Sequence, residues 1–220
     1  MKINKDTVVC ISLAKKAGNF GCNFHNTLFD KYGLNYIYKS FSVSDIKGAI
    51  DGIRALGIRG AGVTMPYKTQ VLQHVDVLSD DVQNIGAANT IVNDEGVLTA
   101  YNTDAHSSHI VIGAAAKESG HSQIFILGNG GFSRAVRYSS IKLALEISDI
   151  TRHNWDDIKN IRDSIVFNCT PVENIDLIID SSCVFIDCLT STPTGARLAT
   201  LQGAKQFYLY TGVECLLEKF

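Results

Sequence analysis

The stretch Gln123-Ile-Phe-Ile-Leu-Gly-Asn-Gly-Gly131 indicates the fold most directly. Four of the five residues before its first glycine are apolar, as expected for a parallel strand buried on both faces. The glycines follow at once, and a helix is predicted from Phe132 to Leu145. A glycine turn between a buried strand and a helix lets a phosphate approach the N–H groups of the helix start. This stretch therefore predicts a nucleotide-binding strand–turn–helix unit, against the alternative of a merely tight turn.

Parallel strand and helix units continue on both sides of this stretch. A helix is predicted from Ala105 to about Glu118, and strands at 147–152, 165–168 and 184–187. The interval between the first two of these strands has room for one short helix, from Asp156 to Asp163, whereas a full crossover with another strand needs about 30 residues. Residues 105–204 are therefore predicted to form a shortened Rossmann-like, NADP-binding domain.

The first part of the chain also alternates strands with helices, and it ends in a hairpin. A helix is predicted from Asn23 to Tyr32, and a second is expected to be capped by Ser44. Pro66 ends a strand, and Lys68 is expected to open the next helix. The predicted strands are 7–12, 36–41, 60–65, 89–93 and 97–101.

These patterns together predict an α/β protein with two domains. Residues 1–104 are expected to form an α/β domain that binds substrate and carries the catalytic groups, followed by the shortened Rossmann-like domain. The C-terminal segment 205–220, amphipathic from Gly212 onward, is expected to return to the first domain as a helix.

Composition narrows the class of protein further. The chain has 220 residues, a net charge of −2 and 45% hydrophobic residues, with no run of Lys and Arg, so a nucleic-acid partner is not expected. Neither a signal peptide nor a membrane helix is predicted. The six cysteines form no Cys-x-x-Cys pair, which favours buried, reduced thiols, no metal site and a cytoplasmic protein.

The strand after the glycine turn bears on the choice of cofactor. An acidic residue at its end would bind the ribose 2′-hydroxyl of NAD, whereas a guanidinium suits the 2′-phosphate of NADP. The end of this strand carries Arg152, and Asp149 comes earlier, so NADP is favoured over the alternative that Arg152 is an ordinary surface charge. The predicted cofactor-binding residues are Gly128, Asn129, Gly130, Gly131, Phe132, Ser133, Thr151, Arg152, Asn168 and Thr170.

Polar residues of the first domain follow its apolar runs, where α/β proteins place their chemistry. Lys68 and Asp104 are interpreted as a cationic group and its carboxylate partner facing a small polar substrate. Reduction of a ketone produces an alkoxide, which needs a nearby proton donor or positive charge. The alternative, an exposed Lys–Asp ion pair, is a common and energetically minor feature of protein surfaces.

Seven short motifs occur in the chain in a fixed order and span nearly all of it. They are Gly18-Asn-Phe-Gly21 with Phe24-His-Asn26, Ala61-Gly-Val-Thr-Met-Pro-Tyr-Lys68, Gly86-Ala-Ala-Asn-Thr-Ile91, Tyr101-Asn-Thr-Asp104, Gly128-Asn-Gly-Gly131, Asn168-Cys-Thr-Pro171 and Gly212-Val-Glu-Cys-Leu-Leu217. On these motifs the chain resembles the shikimate dehydrogenase family, and most closely its shikimate dehydrogenase-like branch.

The resemblance implies NADP-dependent, reversible reduction of 3-dehydroshikimate to shikimate, a step of aromatic amino-acid biosynthesis. It also implies that Lys68 and Asp104 are the catalytic pair, and that Thr64 and Asn89 hold the substrate's hydroxyl groups or carboxylate.

The chain departs from the family pattern at three places. The positions of the usual Ser-x-Ser substrate clamp carry Asn19 and Gly21, with Ser12 as a displaced candidate. The family's glutamine in its final Gly-x-x-x-Leu-x-x-Gln motif falls on Lys219, and its tyrosine after the strand that ends at Asp187 is absent. Ser12, Asn19 and Lys219 are nevertheless included among the expected substrate-binding residues.

These departures leave two hypotheses of different kinds open. The first is an oxidoreductase acting on shikimate or a related cyclic polyol acid. The second is a degenerate relative that binds such a ligand or a nucleotide without turnover. The shortened second domain also leaves open a homodimer, in which the final helix relies on a partner chain.

Overall fold

The computed structural model describes residues 3–215, which form two compact units. The first unit contains the residues up to Thr103 and those from Gly203 onward, and the second runs from Asp104 to Gln202. The C-terminal part of the chain thus belongs to the first unit, as the sequence predicts. Each unit has its own sheet and its own hydrophobic cores.

The first unit is built on a mixed six-stranded sheet. Its order is β2-β1-β3-β5-β6-β4, with β1 parallel to both of its neighbours and β5 antiparallel to β3 and β6. The carboxyl ends of β1, β2 and β3 therefore lie at one edge. The strands are β1 (Val8–Ala14), β2 (Tyr36–Ser42), β3 (Gly60–Val63), β4 (Val77–Leu78), β5 (Thr90–Asp94) and β6 (Val97–Tyr101).

Three helices accompany this sheet, namely α1 (Phe20–Lys31), α2 (Ile46–Ala55) and α3 (Asp80–Ile85). The apolar stripe of α2, Ile46, Ile50 and Ile53, packs into the core because its members recur every three or four residues.

Two local predictions for the first unit were wrong. Asp45, not Ser44, caps α2, since its side chain accepts a hydrogen bond from the backbone N–H of Gly48. Lys68 does not open a helix: it lies in a turn that follows the cis Met65–Pro66 peptide, and the next element is a short 3-10 helix, Gln70–His74.

The second unit has a four-stranded, fully parallel sheet of order β10-β9-β7-β8. The predicted helix at 156–163 is instead a 3-10 helix, Trp155–Asn160, and a second 3-10 helix spans Ile175–Ile178. The other elements are α4 (Thr103–Ser119), β7 (Gln123–Leu127), α5 (Gly131–Lys142), β8 (Glu146–Ile150), β9 (Ile165–Asn168), β10 (Val184–Asp187) and α6 (Pro193–Thr211). From Gly203 onward α6 belongs to the first unit. The second unit is a short Rossmann-like domain, as predicted.

The long helix α6 begins earlier than the sequence analysis expects. Thr192 caps it, with its hydroxyl accepting from the N–H of Gly195, and Pro193 occupies the first helical position, where its missing N–H costs nothing. The helix ends at Thr211, before Gly212 in the left-handed region (φ 73°). Residues 212–215 are therefore not helical, contrary to the prediction, and residues 216–220 lie outside the described part.

The cysteines differ in part from expectation. Each of the six is a free thiol, but only Cys10 is fully buried and the other five are partly exposed. Within residues 3–215 no helix is long and apolar enough to span a membrane. Over the same residues, no group of three His, Cys, Asp or Glu side chains is arranged to hold a metal ion.

Candidate functional site

The polar edge of the first unit brings together three predicted substrate-site residues. The N–H of Val63 donates to the carbonyl of Asn89 at 2.7 Å, so Thr64, the next residue, lies beside Asn89. The N–H of Ala88 donates to the carbonyl of Lys68 at 2.8 Å. These two backbone hydrogen bonds hold the loop that carries Thr64 and Lys68 beside the segment that carries Asn89.

Asn89 is buried and its orientation is fixed by Thr103. The backbone N–H of Thr103 donates to Asn89 Oδ1 at 2.8 Å, and Asn89 Nδ2 donates to Thr103 Oγ1 at 2.9 Å. Because a backbone N–H can only donate, the amide oxygen and nitrogen of Asn89 are assigned without ambiguity. Asn89 therefore anchors the first residue of α4, and Asp104 is the residue that follows it.

A second group of buried side chains forms hydrogen bonds with Asn89 and with one another. Thr90 Oγ1 donates to Asn89 Oδ1 at 2.9 Å and accepts from Gln206 Nε2 at 2.9 Å. Gln206, on α6, also donates to the carbonyl of Asn89 at 3.3 Å, and its Oε1 faces His25 Nε2 at 3.4 Å. The sequence analysis missed Gln206, Thr90 and His25 as parts of the site.

His25 is buried among aromatic rings and is uncharged. Its ring stacks on Tyr38 with centroids 4.4 Å apart, and Phe24, Phe29 and Tyr210 surround it. Desolvation lowers the pKa of His25 to about 4, and the hydrogen bond to Gln206 offsets this in part. Since Gln206 presents its amide oxygen, the proton of the neutral ring lies on Nε2, and Nδ1 finds no hydrogen-bond partner among the described residues.

The positions of the family's serine clamp carry Asn19 and Gly21, with Ser12 as the displaced candidate. Asn19 is exposed at the start of α1, and its side chain makes no capping hydrogen bond. A Cβ atom at Gly21 would lie 2.7 Å from the ring of Tyr38, so a serine there requires that buried ring to move. Ser12 lies within β1, and its hydroxyl bonds that of Ser40 at 3.0 Å.

The two predicted catalytic residues belong to different units. Lys68 is half-buried in the first unit, and Asp104, which is buried, is the first residue of the second. Asp104 sits in the first turn of α4, where the helix start favours a carboxylate. Their pairing stays a prediction. Lys219 lies outside the described residues.

Helix α6 offers a better match than Lys219 for the glutamine of the family motif. The motif places Gly and Gln seven positions apart, and Gly195 and Gln202 in α6 have this spacing. The match is incomplete because the intermediate leucine position carries Ala199. The spacing of Gly195 and Gln202 is visible in the sequence, but using it required the C-terminal helix to be predicted from Pro193.

The glycine turn of the second unit has the geometry of an anion-binding loop. Gly128 has φ 100°, and a Cβ there would meet the Thr170 side chain at 2.8 Å, so only glycine fits without strain. A Cβ at Gly130 would have open space, and no side chain caps the start of α5. Gly131 and Phe132 begin α5, and Ser133 Oγ donates to the Gly130 carbonyl at 2.8 Å. Asn129 is exposed beside them.

The end of β8 presents a cation to solvent. Arg152 is exposed, and within the described part of the chain no ion pair or hydrogen bond engages its guanidinium. Asp149, by contrast, pairs with Arg137 on α5. The backbone N–H of Thr151 forms a local hydrogen bond, which it donates to Asn154 Oδ1 at 2.8 Å. An unpaired guanidinium at this position is free to bind an anion.

Asn168 and Thr170 shape the neighbouring turn. Asn168 Oδ1 accepts from the N–H of Thr170 at 2.9 Å and from its hydroxyl at 2.7 Å, while Nδ2 donates to Asp187 Oδ1 at 3.1 Å. The methyl group of Thr170 lies against the glycine turn. Asp187 is buried at the end of β10, where desolvation raises its carboxyl pKa. The side-chain amide of Asn168 therefore holds this turn in place through hydrogen bonds.

The chain therefore combines an α/β unit, whose polar edge carries Thr64, Lys68 and Asn89, with a short parallel Rossmann-like unit that has a glycine turn. The family profile described as shikimate dehydrogenase substrate binding domain matches residues 20–91. A shikimate dehydrogenase-like protein of Haemophilus influenzae is 34% identical, over 95% of this chain and 92% of its own length. The chain therefore belongs to the shikimate dehydrogenase family.

Further similarities agree with this assignment. A solved structure of a shikimate 5-dehydrogenase-like protein superposes with a TM-score of 0.86 at 31% identity, covering 99% of this chain and 96% of the other. The shikimate dehydrogenase (NADP(+)) of Pyrococcus furiosus is 46% identical over 121 residues, which span 54% of this chain and 44% of that relative. The resemblance to the shikimate dehydrogenase-like branch, stated from motifs, is confirmed.

Proposed function

We propose that this protein is an NADP-dependent oxidoreductase that interconverts 3-dehydroshikimate and shikimate, or a closely related cyclic polyol acid. The observation that carries the proposal is the polar edge of the first unit, where backbone hydrogen bonds hold the loop of Thr64 and Lys68 beside Asn89. Asn89 also anchors Thr103, the residue before Asp104. A ketone with neighbouring hydroxyl groups is the kind of substrate that such donors and acceptors recognise.

The chemical step is a hydride transfer coupled to a proton transfer. When bound, NADPH would supply a hydride to the carbonyl carbon, so that the C=O π bond breaks and the oxygen becomes an alkoxide. Lys68 stabilises this charge and donates a proton, and Asp104 orients the ammonium or shares its proton. NADPH is oxidised to NADP+ and the ketone is reduced to an alcohol, so charge and electrons balance.

Residues of the second unit would hold the cofactor. The open backbone of Gly130 and the uncapped start of α5 suit a pyrophosphate, and Arg152 suits a 2′-phosphate. The name of the Pyrococcus furiosus relative specifies NADP(+), which supports the same cofactor here. Asn168 and Thr170 contribute by shaping the turn against Gly128.

Absorbance of the reduced nicotinamide tests the proposal. Purified protein with NADPH and 3-dehydroshikimate is expected to consume NADPH, and Lys68→Met is expected to lower kcat by about 10²–10⁴-fold while leaving the Kd for NADPH unchanged. Exposed Lys47→Met, at an ion pair with Asp51 on α2, is the matched control and should retain the wild-type rate. Undiminished turnover in Lys68→Met would refute the role given to that lysine.

A binding protein without turnover is the second candidate, and two observations favour it. The parallel sheet of the second unit has only four strands among the described residues, and the clamp positions carry Asn19 and Gly21. Loss of designed hydrogen bonds weakens discrimination between related substrates. Binding of NADPH or shikimate without any consumption of NADPH would select this candidate. A homodimer and a cytoplasmic location stay predictions.

A further inference from the structure

We propose that Gln206 and Thr90 are positioning residues, which fix the orientation of Asn89 and thereby set affinity for the substrate. The inference rests on the proposed function and deepens it. The residues concerned form a buried relay, defined as His25, Gln206, Thr90, Asn89 and Thr103. They come from α1, α6, β5, the loop before β5 and the start of α4.

Hydrogen bonds in the relay run in a single direction. The amide nitrogen of Gln206 must face Asn89 and Thr90, because the carbonyl of Asn89 can only accept. Thr90 Oγ1 accepts from Gln206 and therefore uses its own proton toward Asn89 Oδ1 at 2.9 Å. His25 closes the other end by donating from Nε2 to Gln206 Oε1. No member can reverse its orientation without leaving a buried donor or acceptor mismatched.

Burial makes this orientation energetically significant. Thr90 is 0% exposed, and Gln206, Asn89, His25 and Thr103 are each buried. A buried polar group that loses its partner costs more free energy than an exposed hydrogen bond contributes. The relay therefore resists rotation of the Asn89 amide, whose oxygen is held by the Thr103 N–H and the Thr90 hydroxyl.

The position of Asn89 connects the relay to the predicted substrate-binding residues. Its carbonyl accepts from the N–H of Val63, next to Thr64, and its neighbour Ala88 is bonded to Lys68. An Asn89 amide turned the wrong way would present a donor where the substrate requires an acceptor, or the reverse. Substrate binding should then weaken, while the cofactor residues of the second unit are unaffected.

A matched pair of substitutions at Thr90 tests the proposal. Thr90→Val keeps the shape and removes the hydroxyl, whereas Thr90→Ser keeps the hydroxyl. We expect Thr90→Val to raise the KM for shikimate about tenfold, with the Kd for NADPH within twofold of wild type, and Thr90→Ser to restore the KM. Gln206→Met, which also keeps the shape of the side chain, should raise the KM for shikimate as Thr90→Val does. It serves as the second test if Thr90→Val folds poorly.

Thr99→Val provides the control for a β-strand threonine. Thr99 lies on β6, and no hydrogen bond of its hydroxyl occurs within residues 3–215. This variant should leave the KM unchanged. A wild-type KM in both Thr90→Val and Gln206→Met, or a KM raised equally in Thr90→Ser and Thr90→Val, would overturn the proposal.

Side-chain amide NMR separates this proposal from the proposed function. In the absence of substrate, the Asn89 NH2 resonances should exchange slowly with solvent in wild type and in Thr90→Ser, and at least tenfold faster in Thr90→Val. Such a pattern in a protein that neither binds nor turns over shikimate would support the relay and refute the oxidoreductase. Equal exchange in all three proteins would refute the relay itself.

Discussion

The buried histidine makes the stability of the first unit depend on pH in a calculable way. His25 has a pKa of about 4 in the folded protein, against 6.5 for an ordinary histidine. Between these values the unfolded chain binds more protons than the folded one, so stability rises with pH across this window. Each pKa unit corresponds to 1.36 kcal/mol, so acidification from above pH 6.5 to pH 4 should remove about 3 kcal/mol.

His25→Phe is the perturbation that isolates this effect. The ring fits the aromatic surroundings formed by Phe29, Tyr38 and Tyr210, but it cannot take up a proton. Burial raises the pKa of both Tyr38 and Tyr210 above that of an ordinary tyrosine, so both stay neutral throughout the window. The variant loses the bond to Gln206 and should be less stable at pH 7.5, yet almost independent of pH down to 4.

Urea unfolding followed by circular dichroism measures the difference. The single tryptophan, Trp155, lies in the second unit, so its fluorescence follows that unit separately. Carboxylates such as Asp76, whose pKa is lowered by the hydrogen bond from Arg54, lose their contribution only as the pH falls below about 4. His153→Asn, at an exposed position, serves as the matched control and should retain the wild-type pH dependence.

The pH dependence of His25→Phe can also refute this explanation. If His25→Phe loses stability between pH 6.5 and pH 4 as steeply as wild type does, the buried neutral histidine is not the source of the acid sensitivity. The environment assigned to His25 would then be wrong.

Three further substitutions test individual parts of the structure. Gly128→Ala should raise the Kd for NADPH at least tenfold in a fluorescence titration, because the backbone has φ 100° and the new Cβ would lie 2.8 Å from the Thr170 side chain. Gly195→Ala should lower Tm by roughly 5 °C, since its Cβ would lie 1.9 Å from the carbonyl oxygen of Leu189. Arg152→Ala should weaken binding of NADPH about tenfold or more and leave NADH unaffected, as measured by the two Kd values.

Controls for these substitutions come from the same chain. Gly52, inside α2, has no atom within 4 Å of a Cβ position, so Gly52→Ala should not lower Tm and should retain the Kd for NADPH. Unchanged Tm in Gly195→Ala, or equal loss of NADPH and NADH in Arg152→Ala, would contradict the respective argument.

Local patterns were sufficient to predict much of the fold. The strand Gln123–Leu127 and the strands Ile165–Asn168 and Val184–Asp187 have the predicted bounds, because short apolar runs bounded by turns define buried parallel strands. The hairpin around Gly96 was equally evident, since its two strands are close in sequence.

Long-range contacts explain what the sequence did not reveal. Gln206 and Thr90 are 116 positions apart, and nothing in the residues near Gln206 indicates that it reaches the site. Gly21 itself is visible in the sequence, but the reason that a side chain does not fit there is the ring of Tyr38 on β2. The C-terminal helix was predicted too late in the chain because Gly, Thr and Gln interrupt the apolar positions of α6, although Thr192 and Pro193 mark its start.

Transfer of deuterium tests the central claim most directly. The protein is incubated with 3-dehydroshikimate and NADPH deuterated at the transferring position of the nicotinamide, and the product is analysed by mass spectrometry. The proposed function predicts shikimate, or the corresponding alcohol of a related acid, carrying one deuterium at the former carbonyl carbon. A Lys68→Met variant should form about a hundredfold less of it, or still less, within the same time. Unlabelled product, or recovery of intact ketone and cofactor from wild-type protein that binds both, would contradict it.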